Sequence, residues 1–144
     1  MRALRIDSDT TLTEIDLPER DAQSAIREHV GTAGAVDQGV YHRSAVLHLH
    51  GEGRGTGLEQ NIAAWALASA WRGMPLYPLH GPVVLTGRTG DGAIAALGDK
   101  LMEDARTVTQ TVRETLKEWQ ARPPVSNDAA VKELLSYTAR DVSR

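Results

Sequence analysis

Residues 61–71 read Asn-Ile-Ala-Ala-Trp-Ala-Leu-Ala-Ser-Ala-Trp, a stretch that is apolar on nearly every side of a helix. A helix that is apolar all round is buried on several sides. We therefore predict that this helix lies at the centre of the core. Asn61 stands at the N-cap position, where its carboxamide would accept a backbone N–H bond worth about 1 kcal/mol. The alternative for Asn61 is a side chain that faces a ligand pocket.

Alternating apolar and polar residues on both sides of this helix predict strands. Leu4 and Ile6 share one face of a first strand, and Ile15 and Leu17 share one face of a second. The polar residues 7–10 between them indicate a β-hairpin. Further strands are predicted at about 35–42, 44–50 and 83–85.

Start and stop signals place the remaining helices. Asp16 and Glu19 have the spacing of a capping box, and Pro18 fits a first helical turn. We predict a helix that runs from there to Val30. The longest helix is predicted at 99–120, and a last helix runs from a cap at 126–128 through 138.

These elements predict an α+β fold, in which a small antiparallel sheet of about five strands packs with helices and two C-terminal helices follow. Mixed strand and helix patterns give way to purely helical ones near Gly98. We therefore divide the chain into an α+β domain at 1–98 and a C-terminal helical extension at 99–144, packed on that domain or on a second chain.

The extension carries an apolar stripe at helical spacing. Its members are Leu101, Val108, Val112, Leu116 and Trp119. Either of two elements could bury this stripe. One is the chain's own last helix, and the other is the same stripe of a second chain, which would give a homodimer through the C-terminal helix.

Composition excludes several classes of protein. The chain has 144 residues, no cysteine and a formal net charge of -3, which rules out disulfides, thiolate metal sites and a cysteine nucleophile. The charge argues against a nucleic-acid surface, and 4% aromatic residues argue against a stacking platform for single strands. Charges at Arg2 and Arg5 and short apolar runs argue against a signal peptide or a membrane span. We expect a cytoplasmic protein without a membrane partner.

Four short motifs occur in order within about residues 1–95. They are Arg2-Ala3-Leu4-Arg5-Ile6-Asp7, Ile15-Asp16-Leu17-Pro18, Asn61-Ile62-Ala63-Ala64 and Gly81-Pro82-Val83-Val84-Leu85-Thr86-Gly87. Together they resemble the domain of unknown function 3846 family, small proteins encoded largely by phages, plasmids and related mobile elements. The resemblance implies an α+β domain and a mobile-element setting, and it carries no catalytic residue across. With the lack of catalytic motifs, it favours a non-enzymatic accessory protein that binds a host protein.

A His-x-His pair lies in the predicted strand at 44–50. Because side chains alternate along a strand, His48 and His50 point to the same face. Two neutral imidazoles can hold Zn²⁺ when Glu52 or His42 completes the site, which would make the protein a metal-dependent hydrolase. The simpler alternative is that both histidines face solvent, opposite a buried Leu47 and its neighbours.

The glycine-rich stretch 51–57 precedes the central helix and suggests an anion site. It matches neither the P-loop, since no lysine precedes Lys100, nor the dinucleotide fingerprint. The alternatives are a mobile connection or a nucleotide-sequestering loop. The ligand-binding residues would be Gly53, Arg54, Gly55 and Asn61. No serine lies in a nucleophile elbow, so we predict no catalytic residue and no cofactor.

Overall fold

One antiparallel sheet runs through the computed structural model, which describes residues 1–142. Its strands are β1 (Arg2–Ile6), β2 (Leu12–Asp16), β3 (Val36–His42), β4 (Ala45–His50), β5 (Val83–Arg88) and β6 (Ile94–Ala95). The order across the sheet is β2-β1-β5-β4-β3, and β6 pairs with one end of β5. The predicted α+β class is confirmed, as is the predicted hairpin, in which Ile6 pairs with Leu12.

Helices cover both faces of this sheet. They are α1 (Ala22–Val30), α2 (Ile62–Arg72), α3 (Asp99–Ala121) and α4 (Asn127–Thr138). A large core cluster joins Leu4, Leu47 and Leu85 of the sheet to α2, α3 and α4. A smaller cluster on the opposite face joins Val84 to Ile26 of α1. No helix within residues 1–142 combines the length and the apolar character needed to span a bilayer.

The helix α2 lies at the centre of the larger cluster. Its residues from Ala63 through Trp71 are all buried, and Leu67 has no exposed surface. The helix ends at Gly73, whose left-handed backbone lets its N–H bond back to Ser69 and Ala70. The prediction of a buried central helix from an absent polar face is confirmed.

The first helix starts later than the capping-box spacing predicted. Leu17 continues the edge strand, because its N–H donates to the Met1 carbonyl and its side chain is buried in the smaller cluster. The helix α1 begins at Ala22 after Asp21, whose backbone is left-handed and whose side chain makes no capping bond to the backbone. Burial of one leucine therefore outweighed the capping signal.

The sheet is also larger than predicted. The strand β5 continues past Leu85 to Arg88, because it pairs with β4 as far as Gly87 and with β6 at Gly87 and Arg88. At Gly87 an added Cβ atom would overlap the Ala96 backbone, so only glycine allows this approach. The two-residue strand β6 was not predicted.

The C-terminal helices belong to the same core as the sheet. Leu101, Val108 and Val112 of the apolar stripe are buried within this chain. Leu116 and Trp119 are partly buried and pack on the same cluster, together with residues of α4. In this structure the last helix, α4, therefore covers the end of the apolar stripe. The three buried residues have almost no surface left for a second chain.

Candidate functional site

A cavity of about 330 Å³ opens at the outer corner of the sheet, and we call it the corner cavity. Three chain segments line it: the strand pair β3–β4, the glycine-rich turn after β4, and the extended segment 77–80. Its polar residues are Asp37, Gln38, His50, Arg54 and His80, and its aromatic and large apolar residues are Tyr41, Leu49, Tyr77, Pro78 and Leu79. A volume of this size suits a small ligand.

The glycine-rich turn is closed by its own hydrogen bonds. The N–H of Gly53 donates to the His50 carbonyl, that of Thr56 to Glu52, and that of Leu58 to Gly53. The N–H groups of Gly51, Glu52 and Gly57 also have partners. Most backbone N–H groups of the turn therefore already have partners within the protein, and the anion site predicted at residues 51–57 stays a prediction. An anion here would depend on side chains.

Arg54 is the side chain of this turn with the charge for that role. It is exposed and lines the corner cavity. Gly53 beside it packs closely on the 77–80 segment, since a Cβ atom there would lie 3.1 Å from the His80 carbonyl oxygen. This close contact brings the turn against the segment that forms the opposite wall.

Two histidines of the cavity each use one ring nitrogen for structure. His50 Nδ1 accepts a hydrogen bond from the Glu52 N–H over 3.0 Å, so the proton of its neutral ring is on Nε2. His80 Nδ1 lies 2.9 Å from the Leu58 carbonyl oxygen, and it must donate because that oxygen only accepts. In both rings Nε2 is the nitrogen left for a ligand.

A pair of tyrosines forms the aromatic part of the cavity. The Tyr41 ring lies over Gly39, where an added Cβ atom would approach the ring carbon Cζ to 2.8 Å. Tyr77 is 68% exposed. Burial of Tyr41, and the Tyr77 hydroxyl beside it, raise the pKa of the Tyr41 phenol above its ordinary value. The Tyr41 ring therefore stays protonated and neutral at physiological pH.

His48 does not line this cavity. It has no exposed surface, and its Nε2 lies 2.9 Å from Thr86 Oγ1, while its Nδ1 has no hydrogen-bond partner. Burial lowers the pKa of His48 to about 4. The expectation of two solvent-facing histidines is wrong for His48, because α1 covers this part of the sheet.

The predicted zinc site at His48 and His50 is not supported by a third ligand among the described residues. Within residues 1–142, no three His, Asp or Glu side chains are grouped so that they could hold a metal ion. His48 is sealed under α1, whereas His50 is partly exposed at the end of β4. His42 packs its ring against Trp71, 5.3 Å between centroids.

Asn61 is a structural residue in this fold. Its side-chain oxygen accepts from the Ala64 N–H over 3.1 Å, as the N-cap prediction requires. Its Nδ2 donates to the carbonyl oxygens of Ile6 and Gly81, both over 2.9 Å. The residue is fully buried and does not line the corner cavity. Its bonds tie α2 to β1 and to the segment that precedes β5.

Sequence reasoning placed Arg54, Gly53 and His50 near a ligand site but missed the rest of the cavity. Asp37, Tyr41 and Tyr77 carry no local motif, and the 77–80 segment contains a single proline, Pro78, which favours an extended backbone. The one usable signal was that the predicted strands 35–42 and 44–50 follow each other directly, and they pair as β3 and β4 with Gln38 opposite His48. No pattern indicated that segment 77–80 would close the cavity.

Comparison of the chain with protein-family models, with curated proteins and with solved structures gave no significant match. The resemblance to the domain of unknown function 3846 family therefore stays a prediction.

Proposed function

We propose that this protein binds a small anionic ligand in the corner cavity. The observation that carries the proposal is that one cavity is lined by the exposed Arg54 guanidinium and by His50, whose Nδ1 accepts from the Glu52 N–H and whose Nε2–H is left to donate. A guanidinium offers several N–H donors to the oxygens of a phosphate or carboxylate. The neutral His50 ring adds an Nε2–H donor.

The arrangement supports binding without supplying a reaction. Arg54 and Asp37 are the charged residues among the described residues that line the cavity, and they have opposite signs. No nucleophile with a neighbouring base is evident in its lining. The role we propose is therefore that of a non-enzymatic binding protein, in which the ligand is held or sequestered.

Thermal denaturation with a panel of anions tests the proposal. Inorganic phosphate, pyrophosphate, citrate and nucleotides are each added at millimolar concentration, and at least one is expected to raise the Tm. Arg54→Ala should remove that increase and leave the Tm of the free protein nearly unchanged. Arg106→Ala is the matched control, because Arg106 is exposed on α3 and lies outside the cavity. If no anion shifts the wild type, the proposal is wrong.

A second candidate function is binding of a host protein, the accessory role that the family resemblance and the lack of catalytic motifs together favour. It is favoured by β3, the outermost strand on its side of the sheet, where Val40 is 42% exposed. An outer strand can pair with an extended segment of another protein. The bulge between Gly39 and His42 interrupts this edge and shortens the part that can pair.

Capture from a host lysate tests this second function. Val40→Lys should abolish retention of a partner, whereas Val125→Lys should not, because Val125 is 96% exposed and far from β3 in the sequence. Equal retention by both variants would argue against the β3 edge as the binding surface.

A further inference from the structure

The cavity has an aromatic side as well as a cationic one. Tyr41 is held against the sheet by its contact with Gly39, and Tyr77 comes from the facing segment with most of its ring exposed. An exposed aromatic ring at the rim of a cavity offers a π-face to a flat ligand. Stacking of a nucleobase on such a ring is sequence-tolerant and strong enough to matter for affinity.

The charge of the cavity limits how many phosphates it suits. Arg54 is its one residue with a formal positive charge among the described residues, and Asp37 carries the opposite charge. A triphosphate brings about four negative charges and is normally held by a lysine and a set of free backbone N–H groups. The turn beside Arg54 has used most of its N–H groups internally. One phosphate group matches this site, and three do not.

The remaining polar groups suit a sugar or a base edge. Asp37 offers carboxylate oxygens that accept hydrogen bonds, and Gln38 offers both a donor and an acceptor. Sugar hydroxyl groups and the amino groups of a base are donors that a carboxylate recognises. The volume of about 330 Å³ is at the small end of ligand sites.

We infer that the ligand is a nucleoside monophosphate, with its phosphate at Arg54 and its base against Tyr77. This inference rests on the proposed function, because it names the class of anion that the corner cavity takes. Asp37 would then accept hydrogen bonds from the sugar or the base.

Isothermal titration with four probes tests the ligand class. The probes are a set of the common nucleoside monophosphates, the matching triphosphates, ribose 5-phosphate and inorganic phosphate. At least one monophosphate is expected to bind about fivefold or more tightly than ribose 5-phosphate, since stacking of a base on an aromatic side chain contributes about 1–3 kcal/mol. Its triphosphate should bind no more tightly.

Variants at position 77 locate the base. Tyr77→Ala should weaken the monophosphate about tenfold and leave ribose 5-phosphate unchanged, whereas Tyr77→Phe should keep the wild-type affinity. Met74→Ala is the control, because Met74 is exposed in the same connection and does not line the cavity.

The outcomes separate the inference from the proposed function. If phosphate or ribose 5-phosphate binds as tightly as every monophosphate, the cavity takes anions but the nucleotide inference is overturned. Tighter binding of triphosphates, or a Tyr77→Ala variant with full affinity, also overturns it. If none of these probes nor any other anion binds, the proposed function fails and the inference fails with it.

Discussion

At the centre of the sheet helices cover both faces of the strands, whereas at the outer corner the strands border an opening of about 330 Å³. Polar side chains differ accordingly. Asn61 and His48 are fully buried at the centre, and each bonds to protein atoms there. At the corner, Arg54 is exposed and His50 and His80 each keep one ring nitrogen for a ligand. Where helices cover the sheet, polar side chains form hydrogen bonds within the protein and have a structural role. At the uncovered corner, polar side chains remain accessible to a ligand.

The largest expected effect comes from placing a charge at the sealed centre. Leu67→Asp would bury an unpaired carboxylate at a position with no exposed surface. A buried unpaired charge lowers the free energy of unfolding by several kcal/mol, which approaches the total of about 5–15 kcal/mol for a typical domain. We expect no cooperative unfolding transition by circular dichroism. A soluble variant that unfolds cooperatively would show that α2 is not sealed.

A smaller loss is expected when the hydrogen bonds of Asn61 are removed. Asn61→Ala takes away the N-cap bond and leaves the buried carbonyl oxygens of Ile6 and Gly81 without their donor. We expect about 3 kcal/mol of destabilisation in urea denaturation. Asn127→Ala is the control, because Asn127 is exposed at the start of α4 and should change stability by less than about 0.5 kcal/mol. Equal effects would mean that the buried bonds of Asn61 contribute little.

Acid should destabilise the centre through His48. Burial lowers the pKa of this ring to about 4, below the ordinary value of 6.5, so the unfolded chain binds a proton that the folded chain does not. Stability is therefore full above about pH 6.5 and falls as the pH drops towards 4. The His48 contribution to this loss is about 2 kcal/mol between pH 7 and 4.5.

His48→Gln isolates that contribution, because glutamine does not titrate in this range. Urea denaturation at pH 7 and 4.5 should show a smaller acid loss for His48→Gln than for the wild type, by about 2 kcal/mol. His29→Gln serves as the control, since His29 lies half-buried on α1. An acid loss identical in the wild type and in His48→Gln would contradict a buried neutral ring.

The sequence predicts the centre better than the corner, for a physical reason. A helix without a polar face must be buried, so the place of α2 follows from residues 61–71 alone. Strand alternation puts His48 and His50 on one face, but it does not say that α1 covers only His48. The cavity depends on contacts between residues 37–41, 50–54 and 77–80, and no local pattern encodes how such distant segments meet.

The start of α1 illustrates the same limit within a single element. The capping-box spacing of Asp16 and Glu19 is a local signal, while burial of Leu17 depends on the packing of the whole second face. A capping preference is worth about 1 kcal/mol, whereas full burial of a leucine side chain contributes about 1.5–3 kcal/mol. Tertiary packing therefore decided the boundary.

The smallest expected effect tests whether the Tyr41 ring packs against Gly39 in the corner cavity. Gly39→Ala places a Cβ atom where the Tyr41 ring now lies, so the ring must swing away and lose part of its packing. We expect about 1 kcal/mol of destabilisation. In a Tyr41→Ala background the same change should be neutral or stabilising, because alanine suits a strand better than glycine. A double-mutant cycle from urea denaturation measures this difference.

Gly34→Ala is the control, since the nearest atom to its added Cβ would be 3.6 Å away. Additive effects of Gly39→Ala and Tyr41→Ala would mean that the ring does not rest on Gly39, and the aromatic side of the cavity would lose its support.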